Sequence, residues 1–306
     1  MESISHRIAN DLKKNYQLYL LILPALAVVI IFHYVPMYGI QLAFKDYRGV
    51  LGITGSHWVG FKHFIKLFSS YNFNIILMNT LSISFYSIVF AFPPPILFAL
   101  LLNELRSEKF KKVVQTVTYI PHFISTTILV AMLFAMFNQS TGIVNIGLNN
   151  LFGVQPIPFM QWDRWFRFIF VFSGIWQVAG FGAILYIAVL STVDPSLHEA
   201  AIIDGANRLQ RVWYINVPCL IPTIVILLIL RTGSIISVGF EKVFLMQNTL
   251  NLHVSEVLST YVYKLGLIDT RYDFSTAVGL FTSLVNCMML LLVNMISRAL
   301  GENSLW

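Results

Sequence analysis

Six stretches of the chain are long and apolar enough to cross a lipid bilayer, at 16–35, 75–102, 117–137, 168–190, 219–238 and 277–299. A helix needs roughly 20 mainly apolar residues to span the hydrocarbon. Backbone inside lipid must also satisfy its own N–H and C=O groups, which leaves helices as the form for such runs. The pattern predicts an all-α integral membrane protein with six transmembrane helices. Hydrophobic residues make up 57% of the 306 positions and charged residues 11%, and the polar connections are too short to bury a second core. Residues 16–306 are expected to form one six-span domain after a cytoplasmic N-terminal segment, 1–15.

The first run follows Arg7, Lys13 and Lys14, as a secretory signal would. Its apolar length exceeds an h-region of about 7–15 residues, and no small-x-small cleavage site follows before Tyr34-Val-Pro36, so it reads as an uncleaved span. Cys219 and Cys287 lie far apart in apolar segments and suggest packing, with no disulfide framework and no metal site. The chain carries no G-x-x-x-x-G-K-[ST] loop to cradle phosphates, no H-E-x-x-H and no G-x-S-x-G. It is not expected to be an enzyme, to hold a catalytic residue or to bind a cofactor. No Lys/Arg tract interleaved with aromatics suggests nucleic acid.

Lys and Arg near the span ends set orientation. With the N-terminus inside, Arg7, Lys13, Lys14, Arg106, Lys109, Lys111, Lys112, Arg208, Arg211 and Arg298 face the cytoplasm, and Lys45, Arg48, Lys62, Lys66, Arg164, Arg167, Lys242, Lys264 and Arg271 lie outside. The counts are nearly equal, but the outer loops are longer, so charge density favours cytoplasmic termini. Residues 58–68 and 251–265 have apolar spacing that fits interfacial helices on the outer side. Pro93-Pro94-Pro95 removes three backbone donors inside the second run and must kink or break it, as a packing kink or as a cavity wall.

Between the fourth and fifth runs sits a polar segment, 194–218. Ser196-Leu-His-Glu199 reads as a capping box that starts a short helix. Ala200 and Ala201 keep its face narrow, and Gly205 frees the backbone at its end. The run Glu199-Ala-Ala-Ile-Ile-Asp-Gly-Ala206, followed by Trp213, Ile215 and Pro218, resembles the EAA loop of importer-type ABC transporter permeases; only Val217 departs, where that pattern has leucine. Tyr34–Tyr47, Asn103 with its following basic stretch, Tyr119-Ile-Pro-His122, Val238–Leu245 and Ser259-Thr-Tyr-Val-Tyr263 are similar to carbohydrate-uptake permeases, in the branch related to lipoprotein-linked polysaccharide permeases of Gram-positive bacteria.

This resemblance implies a type I importer permease in a bacterial plasma membrane that carries sugars, as oligosaccharides or complex glycans. It implies a second, homologous permease, a dimer of ATP-binding cassette ATPases that binds ATP-Mg, and an extracellular solute-binding lipoprotein. An amino-acid or peptide permease shares the EAA pattern, and a polytopic scaffold is the alternative outside transport. Glu199, Ala200, Ala201, Asp204 and Gly205 would couple to the ATPase, Glu199 as an anchor, as part of the capping box, or as both. Asp204 would order the turn or meet the ATPase. The substrate pathway would draw on Trp176, Gln177 and Phe181 in the fourth span and Arg231, Ser234 and Ser237 in the fifth. Aromatic faces suit the apolar side of a pyranose, and planar polar groups suit its hydroxyls. Trp176 serves equally well as packing. Arg231 at bilayer depth must face a cavity or a partner, either holding the sugar or pairing with a carboxylate of the sister permease.

Overall fold

A computed structural model describes residues 13–299. Arg7, the remainder of the 1–12 segment and the C-terminal residues from 300 onward lie outside the described residues. Five helical stretches are long and apolar enough to cross a membrane: α1 (Tyr16–Phe44), Tyr71–Asn103, Asp163–Leu190, Arg208–Thr232 and Tyr272–Ala299. A sixth crossing exists only if Glu108–Phe123 and Thr126–Met136, which meet at 96°, are counted as one broken span. The expected continuous helix over 117–137 is therefore corrected. Pro121 lacks an N–H and caps a tight turn at Ile120–Phe123. Ser125 then accepts the N–H of Ile128 and starts a fresh helix in a new direction.

The second span divides into α2 (Tyr71–Ala91) and α3 (Pro93–Asn103). The proline triplet opens α3, where the first-turn N–H groups have no intrahelical acceptor anyway. The later elements are α4 (Glu108–Tyr119), α5 (Thr126–Met136), α6 (Ile143–Phe152), α7 (Asp163–Leu190), α8 (Pro195–Ile203), α9 (Val217–Thr232), α10 (Phe240–Met246) and α11 (Tyr272–Ala299). Helix α9 ends at Thr232, six residues short of the expected limit at 238. The expected interfacial helices are also shorter: only Lys62–Phe68 is helical in the first, and the second is broken into Leu252–Ser255 and Leu258–Tyr263.

The chain forms two compact units. Among the described residues the first comprises 13–67 and 265–280. In it α1 presents apolar side chains outward along its length, as a lipid-facing helix does. Behind it Lys45–Asp46 pairs antiparallel with His57–Trp58. Lys45 is buried; its ammonium donates to the Ile53 carbonyl at 2.7 Å and lies 4.9 Å from the Trp58 ring centroid. His63 Nε2 donates to the Lys45 carbonyl at 2.9 Å and sits 3.5 Å from Asp273.

Among the described residues the second unit comprises 68–264 and 281–299. Helix α7 is its axis, packed along α2, α3 and α4. One apolar cluster joins Ile83, Leu129, Leu133, Phe166, Phe170, Val243 and Met246; another joins Ala99, Leu100, Ala183, Tyr186, Leu190 and Leu220. Gly180 permits the closest helix contact here, since a Cβ there would overlap the Thr118 backbone of α4.

Candidate functional site

Helix α8 does not start as the sequence suggests. Asp194 is the N-cap, its carboxylate accepting the Ser196 N–H at 2.9 Å, and Pro195 occupies the first helical position. Ser196 is thus a donor inside the first turn, and the proposed Ser196–Glu199 box is corrected. Proline's fixed φ suits that first position, and the carboxylate of Asp194 is favoured at the positive end of the helix dipole. The Ser196 N–H holds the Asp194 carboxyl below the usual carboxylate range. The capping box lies one turn of chain later: Asn207 accepts the Gln210 N–H at 2.9 Å while Gln210 accepts the Asn207 N–H at 2.8 Å.

The end of α8 matches expectation. Gly205 has φ +83°. Its N–H donates to the Ile202 carbonyl at 3.0 Å and that of Ala206 donates to Ala201 at 2.8 Å. These two bonds make a Schellman cap, which needs a left-handed residue at the position of Gly205. Glu199, Ala200, Asp204 and Gly205 are exposed and Ala201 is half-buried. Around them Leu197, Ile202, Ile203, Leu209, Trp213 and Tyr214 also face outward, Ile203 at 86%. Six large apolar side chains beside a helix capped at both ends form a surface that water disfavours.

The second feature is a cavity of about 490 Å³ between α2, α3, α7 and the exit of α9, within the roughly 300–1,000 Å³ common for small-ligand sites. Its polar lining includes Ser84, Ser87, Gln177, Arg231, Ser234 and Ser237. Four of the six sequence-nominated pathway residues are thus brought together. Trp176 and Phe181 do not line it. Trp176 is exposed at 46%, and Phe181 stacks on His122 with centroids 3.9 Å apart and an interplanar angle of 4°. Helical geometry turns Trp176 about 100° away from its neighbour Gln177, whereas Phe181, one turn further along α7, is engaged by its stack on His122. Gln177 itself donates to the Ile124 carbonyl at 2.8 Å, bracing the broken third span.

The cavity depends on an unwound segment after α9. Ser84 Oγ donates to the Ile235 carbonyl, Asn286 Oδ1 accepts the Ile236 N–H at 3.0 Å, and Asn286 Nδ2 donates to Ser237 Oγ at 2.9 Å. Ser259 Oγ donates to the Val238 carbonyl at 3.3 Å. Irregular backbone near membrane depth requires such partners.

Several lining residues were not anticipated. Pro95 forms part of the wall against Gly182, Tyr186 lines it beside Arg231, and Lys242 reaches in from α10. Lys242 reads in the sequence as an outer-loop charge; its membership follows from the chain turning back after α9, for which Gly233 and Gly239 were the available signals. Lys242 is only 9% exposed. Its ammonium donates to the Phe170 carbonyl at 2.8 Å and lies 4.8 Å from that ring's centroid. Burial lowers its pKa from 10.5 to about 8.

Residues 95–302 match the family model of the binding-protein-dependent transport system inner membrane component. The chain belongs to this permease family. The permease is 44% identical over 295 residues to Protein LplB of Bacillus subtilis (strain 168), covering 96% of this chain and 92% of that one. It is 43% identical over 300 residues to the polygalacturonan/rhamnogalacturonan transport system permease protein YteP of the same organism, covering 98% and 93%. A crystal structure of a bacterial alginate ABC transporter, in complex with an alginate pentasaccharide-bound periplasmic protein, contains a chain similar to this permease with a TM-score of 0.90 and 40% identity, covering 98% of this chain and 100% of that one. The chain is thus a multi-pass inner-membrane component of a binding-protein-dependent importer, with a mostly helical type I permease fold.

Proposed function

We propose that this permease forms half of the translocation pathway of an ATP-driven importer of saccharide chains. A second permease supplies the other half, an extracellular binding protein delivers the sugar, and a pair of ATPase subunits binds ATP-Mg and supplies the energy. The single observation that carries the reading is α8: capped at both ends, exposed, and ringed by Leu197, Ile202, Ile203, Leu209, Trp213 and Tyr214. Such a helix suits insertion into a groove on a soluble partner. Glu199 and Asp204 stand exposed beside the apolar face, available to polar groups of that partner. Rigid-body movement of α8 would pass to α7 and α9, which flank its loop, and so to the cavity between them.

The saccharide reading rests on the names of the similar proteins and on the cavity, where Gln177, Ser234 and Ser237 offer hydroxyl partners among apolar walls. The test is reconstitution of both permeases and the ATPase in proteoliposomes, with the binding protein and an oligosaccharide panel. Saccharide-dependent ATP hydrolysis and uptake are expected. Absence of an ATPase from the purified complex, or stimulation by amino acids or peptides alone, would refute the reading.

A further inference from the structure

Two cations, Arg231 and Lys242, line the one cavity, and among the described residues no Asp or Glu lines it. Among the same residues neither cation has an ion-pair partner; the three Lys or Arg ion-pair members are elsewhere, Arg48 and Lys62 with Asp46 and Lys264 with Glu256. An ammonium has three donors. For Lys242 one goes to the Phe170 carbonyl, a neutral acceptor. Holding a cation 9% exposed without a counter-charge is unfavourable, and the chain spends structure on doing so. Gly174 lies beside this cation: a Cβ there would stand in van der Waals contact, 3.4 Å from the Lys242 ammonium. Arg231 adds a planar fork that fits a carboxylate through two parallel hydrogen bonds.

We infer that the cavity recognises a carboxylate carried by the substrate, so that the saccharide it passes is acidic, a chain containing uronic acid residues, with Arg231 and Lys242 as its anion-binding groups. This rests on the cavity being the sugar path. Gln177, Ser84, Ser234 and Ser237 then address hydroxyls, while the apolar wall formed by Val178, Pro95 and Ile88 faces the ring carbons. The lowered pKa of Lys242 agrees with an ammonium whose counter-charge arrives with the ligand, since a bound carboxylate would restore the charged form.

The experiment uses the complete complex in proteoliposomes with its binding protein, supplied with an oligouronate and with the same oligosaccharide as its methyl ester, which keeps size and hydroxyls but removes charge. Uptake of each is measured for the native complex and for Lys242→Gln and Arg231→Gln. Because the binding protein is common to all three complexes, its own preference cancels from the ratio between native and variant. The native complex is expected to take up the acid in preference to the ester. Each variant is expected to raise KM for the acid by on the order of tenfold or more, leaving the ester little changed, and Lys242→Arg is expected to retain most of the preference. Equal transport of acid and ester by the native complex would overturn the inference while leaving saccharide import intact. Failure of every saccharide would overturn import as well. If the variants instead lower the yield of assembled complex and leave the acid-to-ester ratio unchanged, the counter-charge is a carboxylate of the sister permease and the inference is wrong.

Discussion

Replacing Gly205 tests whether the left-handed cap of α8 matters for coupling. The residue sits at φ +83° and a Cβ there would meet nothing within 4 Å, so inside this chain the cost of alanine is conformational. Left-handed backbone costs an L-residue roughly 1–2 kcal/mol, which reduces the population of the capped turn by a factor of roughly 5–30. The two Schellman bonds, Gly205 to Ile202 and Ala206 to Ala201, would be lost together when the turn frays, and Asp204 would lose its fixed position. Gly205→Ala should therefore insert and reach the membrane normally but show weakened association with the ATPase and low transport per ATP hydrolysed. Gly205→Asn, whose side chain tolerates the left-handed region, should lie closer to the native behaviour. The assay is ATPase copurification and uptake-to-hydrolysis ratio in proteoliposomes. Native coupling in Gly205→Ala would refute the reasoning, and equal damage from alanine and asparagine would move the cause from backbone strain to side-chain bulk against the partner.

Other outcomes follow from the same geometry. Gly180→Ala drives a Cβ into the Thr118 backbone and should sharply lower the yield of folded permease, whereas Gly182→Ala, 3.3 Å from Pro95 Cγ, should be tolerated after a small shift; expression and gel filtration distinguish them. Asn286→Ala leaves the Ile236 N–H without its acceptor and should destabilise the unwound segment by about 1–3 kcal/mol, read as a lower Tm of the purified complex. Lys242 gives a pH signature. Its pKa in the fold, about 8, lies below the ordinary 10.5, so folding stability should rise as pH increases from about 8 toward 10.5. Uptake of an acidic saccharide should fall over the same range as the ammonium is lost. The other ionisable groups lining the cavity are Arg231 and Tyr186, and Lys242→Arg should flatten the uptake profile between about pH 7 and 9, one unit either side of the Lys242 midpoint.

The apolar runs were enough to place the protein in a membrane, because hydropathy over a span length is a local property of the chain and lipid leaves the backbone one economical solution. The 199–206 segment was equally legible: its alanines, its glycine and its position between two runs together indicated an exposed, capped helix. Which residue caps it was not, since Asp194 and Ser196 are both good N-caps and the choice turned on where Pro195 fits. Hydropathy over 117–137 likewise could not reveal the 96° break, which depends on Pro121, Ser125 and the backbone contact at Gly180 acting together.

The composition of the cavity was decided by tertiary structure alone. Gln177, Arg231, Ser234 and Ser237 could be nominated by residue type, but Trp176 and Phe181 have equally suitable chemistry and point elsewhere. Lys242 has the sequence context of a loop cation and becomes a cavity residue only because α9 stops at Thr232 and the chain folds back on Ser84, Asn286 and Ser259. Periodicity tells which face of a helix is apolar, whereas membership of a shared cavity depends on contacts between residues 21 to 151 positions apart, and no local pattern encodes them.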